Sequence, residues 1–193
     1  MKNPLLFLFT VLLFASACAD KTKSNAESTR LKHEKYGIDS MLSDRSLLLY
    51  VKTPGKTKLT EVKKGDRFPE QIEASYNVLK NKKGQVVYIA EIPFSPKDDW
   101  FIAYKHYFDE NGKLFAFQRQ NNFFKSECTK GAALENLTVF YDTNFRVLDS
   151  IYTLTDSNKK KLEPGSCKFP FNFPYSVPKS FDEYKNLQGI NSF

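Results

Sequence analysis

Cys128, Cys167 and His106 are the residues with which this chain could do chemistry away from its N-terminus. Three arrangements of them are open. In an oxidising compartment the cysteines pair, and closing a loop of about forty residues stabilises a fold by roughly 4 kcal/mol in the chain-entropy model. Kept reduced, they are two separate thiols, and Cys128 could serve as a nucleophile with His106 as its base. As metal ligands they lack company, because the chain has 2 histidines, His33 and His106, and no C-x-x-C spacing. The disulfide is the expected arrangement, and no metal or other cofactor is expected. His106 shares the apolar parity of Tyr104 and Phe108, which points to a partly buried structural histidine.

Paired carboxylates are the other catalytic signal. Asp98–Asp99 and Asp109–Glu110 could in principle split a glycosidic bond. The first pair precedes a strand pattern and the second sits at a hairpin tip, so both read as solvated turns. G-x-S-x-G, H-E-x-x-H and phosphate-binding glycine loops do not occur. The chain is expected not to be an enzyme, with an envelope hydrolase as the weakest alternative.

The stretch FPFNFPY offers binding instead. Phe169, Phe171, Phe173 and Tyr175 share one parity, separated by Pro170, Asn172 and Pro174. The prolines hold the chain extended and bar it from a central ladder position. Four rings then project to one side, either as an open stacking platform for a glycan or as a lid over a sheet, the latter expected.

What compartment would hold these groups is written at the N-terminus. Met1-Lys2-Asn3 is followed by an apolar run from Leu5 to Ala17, broken by Thr10. At about 1.5 Å per residue this run spans roughly 20 Å, short of a bilayer's hydrocarbon core of about 30 Å. Its layout is that of a secretory signal. Ala15-Ser16-Ala17-Cys18 resembles the lipobox of bacterial lipoproteins, although Ala15 stands where that consensus usually has leucine. The resemblance implies cleavage before Cys18, acylation of that cysteine, and an envelope location anchored in a membrane. Ala19 follows the cysteine, with Asp20 one place later, which by the same resemblance favours the outer membrane. Ordinary cleavage after Ala17 is the alternative, and would leave Cys18 as an exposed thiol.

The division expected is a signal at 1–17, a lipidated flexible tether at 18–34, and one domain at 35–193. Removing the signal takes away one lysine, leaving 28 basic and 22 acidic residues, net +6. The lysines of Lys63–Lys64, Lys82–Lys83 and Lys159–Lys161 are scattered clusters that read as solvated turns. Nucleic acid is not an expected partner; an envelope protein or glycan is.

Three segments that must position these residues repeat one another: YNVLKNKKGQVVYIAE from Tyr76, YKHYFDENGKLFAFQR from Tyr104 and LTVFYDTNFRVLDSIY from Leu137. Each is a β-prone run, a polar tip and a second β-prone run. Gly84 and Gly112 suit the tips, and Asn144 is the expected left-handed residue of the third. Alternation groups Ile102, Tyr104 and Phe108, then Phe115 and Phe117, then Val86, Tyr88 and Ile92. About six antiparallel strands are expected between 74 and 155, with 69–80 also compatible with a helix. Ser180-Phe181-Asp182-Glu183 reads as a capping box, Phe181, Tyr184 and Leu187 as an apolar stripe, and Gly189 as a C-cap. A further helix or strand is expected within Asp39–Val51. The fold class is α+β: an antiparallel meander of repeated hairpins, with a C-terminal helix and one or two N-terminal helical segments. Hairpins of the DENGKL type look like those of uncharacterised bacterial lipoproteins.

Overall fold

One turn, used four times, organises the chain. In the computed structural model, which describes residues 24–43, 46–167, 169, 175–191 and 193, an asparagine or aspartate opens each turn. Its Oδ1 accepts two backbone N–H groups. Asn81 takes those of Lys83 and Gln85, Asp109 those of Asn111 and Lys113. Asp142 takes those of Asn144 and Arg146, and Asp156 those of Asn158 and Lys160. The fourth residue of each turn is left-handed: Gly84 at φ 78°, Gly112 at 72°, Phe145 at 62° and Lys159 at 63°. This short loop with a left-handed residue matches the twist of the strands it joins. The third tip corrects the expectation from sequence. Phe145, not Asn144, takes the left-handed position, and its ring is held by stacking on Tyr141 at 4.4 Å.

The strands are β1 (Leu48–Lys52), β2 (Thr60–Glu61), β3 (Ala74–Lys80), β4 (Val86–Pro93), β5 (Trp100–Phe108), β6 (Leu114–Phe123), β7 (Ala133–Tyr141) and β8 (Val147–Asp156). They form one antiparallel sheet in the order β2-β1-β3-β4-β5-β6-β7-β8. The expected six-strand meander is β3 to β8, and the ambiguous segment 69–80 becomes a strand from Ala74. After β8 the fourth turn folds the chain back, and Thr155 bridges to Lys161.

Each of the first three repeated turns is flanked by a register shift, where Leu79/Lys80, Tyr107/Phe108 and Phe140/Tyr141 pair with the returning strand. The residues skipped on the returning strands are Val87, Phe115 and Leu148, each six places after its turn-opening residue. The bulge breaks the two-residue alternation. Phe115 and Phe117 therefore part company, Phe117 facing His106 across β5 and Phe115 joining a cluster on the opposite face. Val86 and Tyr88 part in the same way. Val87, Phe115 and Leu148 all join that opposite cluster. There they seat a helix.

That helix, α1, runs over 24–41. It replaces all but the first residues of the expected tether, and 18–23 lie outside the described residues. Its inward positions are Ser28, Leu31, Lys35 and Ile38, a spacing of three and four. Leu31 and Ile38 are buried among Tyr88, Tyr107, Phe115 and Phe140. Lys35 lays its stem along the same face, with Nζ 4.5 Å from the Tyr107 ring centre and 2.7 Å from Asp39. Ser28 bonds Asp149 at 3.1 Å. Two polar residues in a four-residue stripe hide its periodicity.

The other face is closed by the C-terminal segment from Tyr175 onward and by α2 (Phe181–Gln188). Ser180 caps α2 by accepting from Glu183 N–H, and Gly189 ends it in the left-handed region at φ 61°. Tyr184 and Ile190 are buried, whereas Leu187, expected in the apolar stripe, is exposed.

Candidate functional site

Strand register brings four polar aromatic and acidic side chains together beneath α2. Glu91 on β4 is flanked by Tyr76 on β3 and Tyr104 on β5. His106 lies two residues further along β5, opposite Ile89. Strand alternation turns all of them to the face covered by the C-terminal segment, which adds Tyr175 and Tyr184. Both tyrosine hydroxyls lie 3.0 Å from the same carboxylate oxygen, Oε2 of Glu91, and Tyr175 Oη is also 2.8 Å from His106 Nε2. Tyr184 donates to the carboxylate. Tyr175, with one proton, donates either to Glu91 while accepting from His106 Nε2–H, or the reverse with a protonated Glu91. His106 Nδ1 is buried without a hydrogen-bond partner among the described residues.

The cluster is sealed. His106 is 0% exposed and Glu91 7%. Burial pushes the imidazole down to about 3, so it is neutral at physiological pH. Burial likewise pushes Glu91 up to about 7, against the two tyrosine hydrogen bonds and the positive charge of Lys52. Tyr76, Tyr175 and Tyr184 are raised, by burial first and by the Glu91 charge second. A carboxyl that changes charge near pH 7, a neutral imidazole and tyrosine hydroxyls can pass a proton among themselves. Among the described residues the Tyr175 ring covers Glu91 and His106, stacking on Tyr104 at 3.8 Å and on Phe117 at 5.7 Å.

Cys128 and Cys167 are joined in a disulfide with Cα atoms 5.1 Å apart. The thiol nucleophile considered for Cys128 is thereby removed, and no cluster among the described residues could hold a metal. The aromatic segment is described in part. Tyr175 is half-buried in the cluster as a lid residue, and Phe169 is half-buried; Phe171 and Phe173 lie outside the described residues, as does Cys18. Asp109 is a turn-opening residue, and Glu110 meets Lys83 at 3.4 Å in solvent.

Glu91 is what the sequence did not single out. Its signal is faint: one carboxylate inside the apolar run VVYIAEIP, on the parity of Ile89. A cleft of about 420 Å³ also opens between the β3–β4 and β5–β6 turns and α2. Both lysines lining it are engaged, Lys185 with Asp182 at 2.9 Å and Lys80 with the Phe193 carbonyl at 3.2 Å. Comparison of the chain with known protein families, curated proteins and solved structures finds no match.

Proposed function

We propose that this chain is a lipid-anchored envelope protein whose domain binds a partner rather than catalysing a reaction. The anchoring half of the reading is supported by the lipobox-like run ending at Cys18, six residues before the first described helical position. No helix among the described residues is long and apolar enough to cross a membrane. The binding half is carried by one observation: Glu91 Oε2, His106 Nε2 and the hydroxyls of Tyr175 and Tyr184 are hydrogen-bonded to one another beneath the Tyr175 ring. Such a cluster fastens the C-terminal segment to the sheet and presents nothing to a substrate.

The outer membrane is the proposed location, and the partner an envelope protein or glycan. Glycan stacking on 169–175 remains a second reading through Phe169, Phe171 and Phe173, because the Tyr175 ring is occupied by Tyr104 and Phe117. Detergent phase partitioning tests the anchor. The wild-type chain should enter the detergent phase with an acylated N-terminal peptide, and Cys18→Ser should not. An unmodified mature N-terminus in the wild type sinks the lipoprotein reading. Turnover of an envelope substrate by the purified chain sinks the non-enzymatic one.

A further inference from the structure

The part of the sheet face that α1 leaves uncovered carries a neutral hydrogen-bonding lattice. Register sets its rows across β5 to β8. Lys105, Gln118, Thr138 and Ile151 border α1, Ala103, Gln120, Asn136 and Thr153 come next, and Phe101, Asn122, Leu134 and Thr155 follow. Of these twelve side chains Lys105 alone is charged. A face turned merely to water suits lysine and glutamate, the residues most readily left exposed. Here amides and hydroxyls stand at the regular spacing of a sheet, about 4.8 Å between strands and roughly 7 Å between rows. Part of the lattice is fixed in place: Gln118 Nε2 donates to Asn136 Oδ1 at 2.8 Å, and Tyr107 Oη lies 3.3 Å from Gln118 Oε1. The Gln120 and Asn122 amides make no hydrogen bond among the described residues. Phe101, half-buried, lies opposite Asn122.

We propose that this face binds a neutral, polyhydroxylated glycan, with Phe101 under a sugar ring and Gln120, Asn122 and Asn136 bonding its hydroxyls. A protein interface would want an apolar, aromatic-rich centre, and an anionic ligand more than one cation. Neutral donors and acceptors beside one ring match a sugar. The inference rests on the domain being a binding module and names its ligand class.

The test is a titration of the 15N-labelled full chain with chitotetraose, laminarihexaose and maltohexaose at millimolar concentration, read at the backbone and side-chain amide resonances. At least one glycan should shift Gln120, Asn122 and Asn136 together. Gln120→Ala and Asn122→Ala should each weaken that binding about tenfold, the loss of one net hydrogen bond, with thermal stability unchanged. Shifts confined to Phe169 and Tyr175, or no shift with any of the three glycans, overturn the proposal. Crosslinking of the chain to an envelope protein in the latter case would leave the binding-module reading standing and this inference alone overturned. Glycan hydrolysis during the titration would overturn both.

Discussion

The two faces of this sheet are built from alternate residues of the same strands, yet one is sealed and the other is half open. On the sealed face, Tyr76, Ile89, Glu91, Ile102, Tyr104, His106 and Phe108 lie under α2 and Tyr175. Most polar atoms there are paired, because an unpaired polar group in a dry interior costs about 1–3 kcal/mol; His106 Nδ1 is an exception. On the other face, α1 covers only the end near the repeated turns, and Phe101, Gln120 and Asn122 remain half-exposed. Amides there can leave their hydrogen bonds to water or to a ligand. Titratable groups on the sealed face hold the fold together, while polar groups on the open face stay available.

Phenylalanine truncation should separate the two faces by the largest margin. Phe108→Ala on the sealed face is expected to cost about 3–5 kcal/mol, and Phe101→Ala on the open face well under 1 kcal/mol, both read by chemical denaturation. Equal losses would mean that the open face is covered. Next in size is the Cys128–Cys167 disulfide. Its reduction should remove roughly 4 kcal/mol or less, the chain-entropy value for such a loop, and both cysteines should resist alkylation until a reductant is present.

Glu91→Gln should change the pH dependence of stability. Because the folded carboxyl is raised to about 7 from 4.5, wild-type stability carries a contribution present below pH 4.5 and lost as pH rises to 7. The lowered His106 contributes in the opposite sense, its stability being lost as pH falls from 6.5 toward 3. The wild-type profile should therefore be nearly flat between pH 4.5 and 6.5. The glutamine variant keeps only the histidine contribution, so it should gain on the wild type across pH 4.5 to 7, by about 3 kcal/mol at 1.36 kcal/mol per unit. A constant difference between the two would place Glu91 in contact with water.

Smaller effects follow. Tyr184→Phe removes one donor to a buried carboxylate and should cost about 1–3 kcal/mol, while Glu91 titrates at still higher pH. Lys159→Gly relieves an exposed left-handed residue at φ 63° and should stabilise by about 0.5–1 kcal/mol; destabilisation would mean that the turn is held by the lysine side chain.

Much of this fold was legible because its grammar is local. Asn111-Gly112 marks a hairpin by backbone chemistry alone, and Ser180 with Glu183 marks a helix start in the same way. What stayed hidden depends on partners distant in sequence. Helix α1 was masked because Ser28 and Lys35 occupy two of its four inward positions and are satisfied by Asp149, Asp39 and the Tyr107 ring. The bulged residues Val87, Phe115 and Leu148 defeated simple alternation, since one extra residue reverses the facing of everything beyond it. The candidate cluster was half visible: His106 and Tyr175 stood out by residue type, but Glu91 joins them only through strand pairing. The pairing of Cys128 with Cys167 was legible because only two cysteines follow Cys18.

On the proposed reading the sealed cluster fastens the fold and the partner binds elsewhere. Crosslinking with mass spectrometry in intact envelopes, comparing the wild-type chain with Glu91→Gln, tests it most directly. The account predicts the same crosslinked neighbours for both, with folded protein at equal level. Loss of those neighbours, or of an envelope activity, in a Glu91→Gln chain that remains fully folded would contradict it and make the cluster the working site.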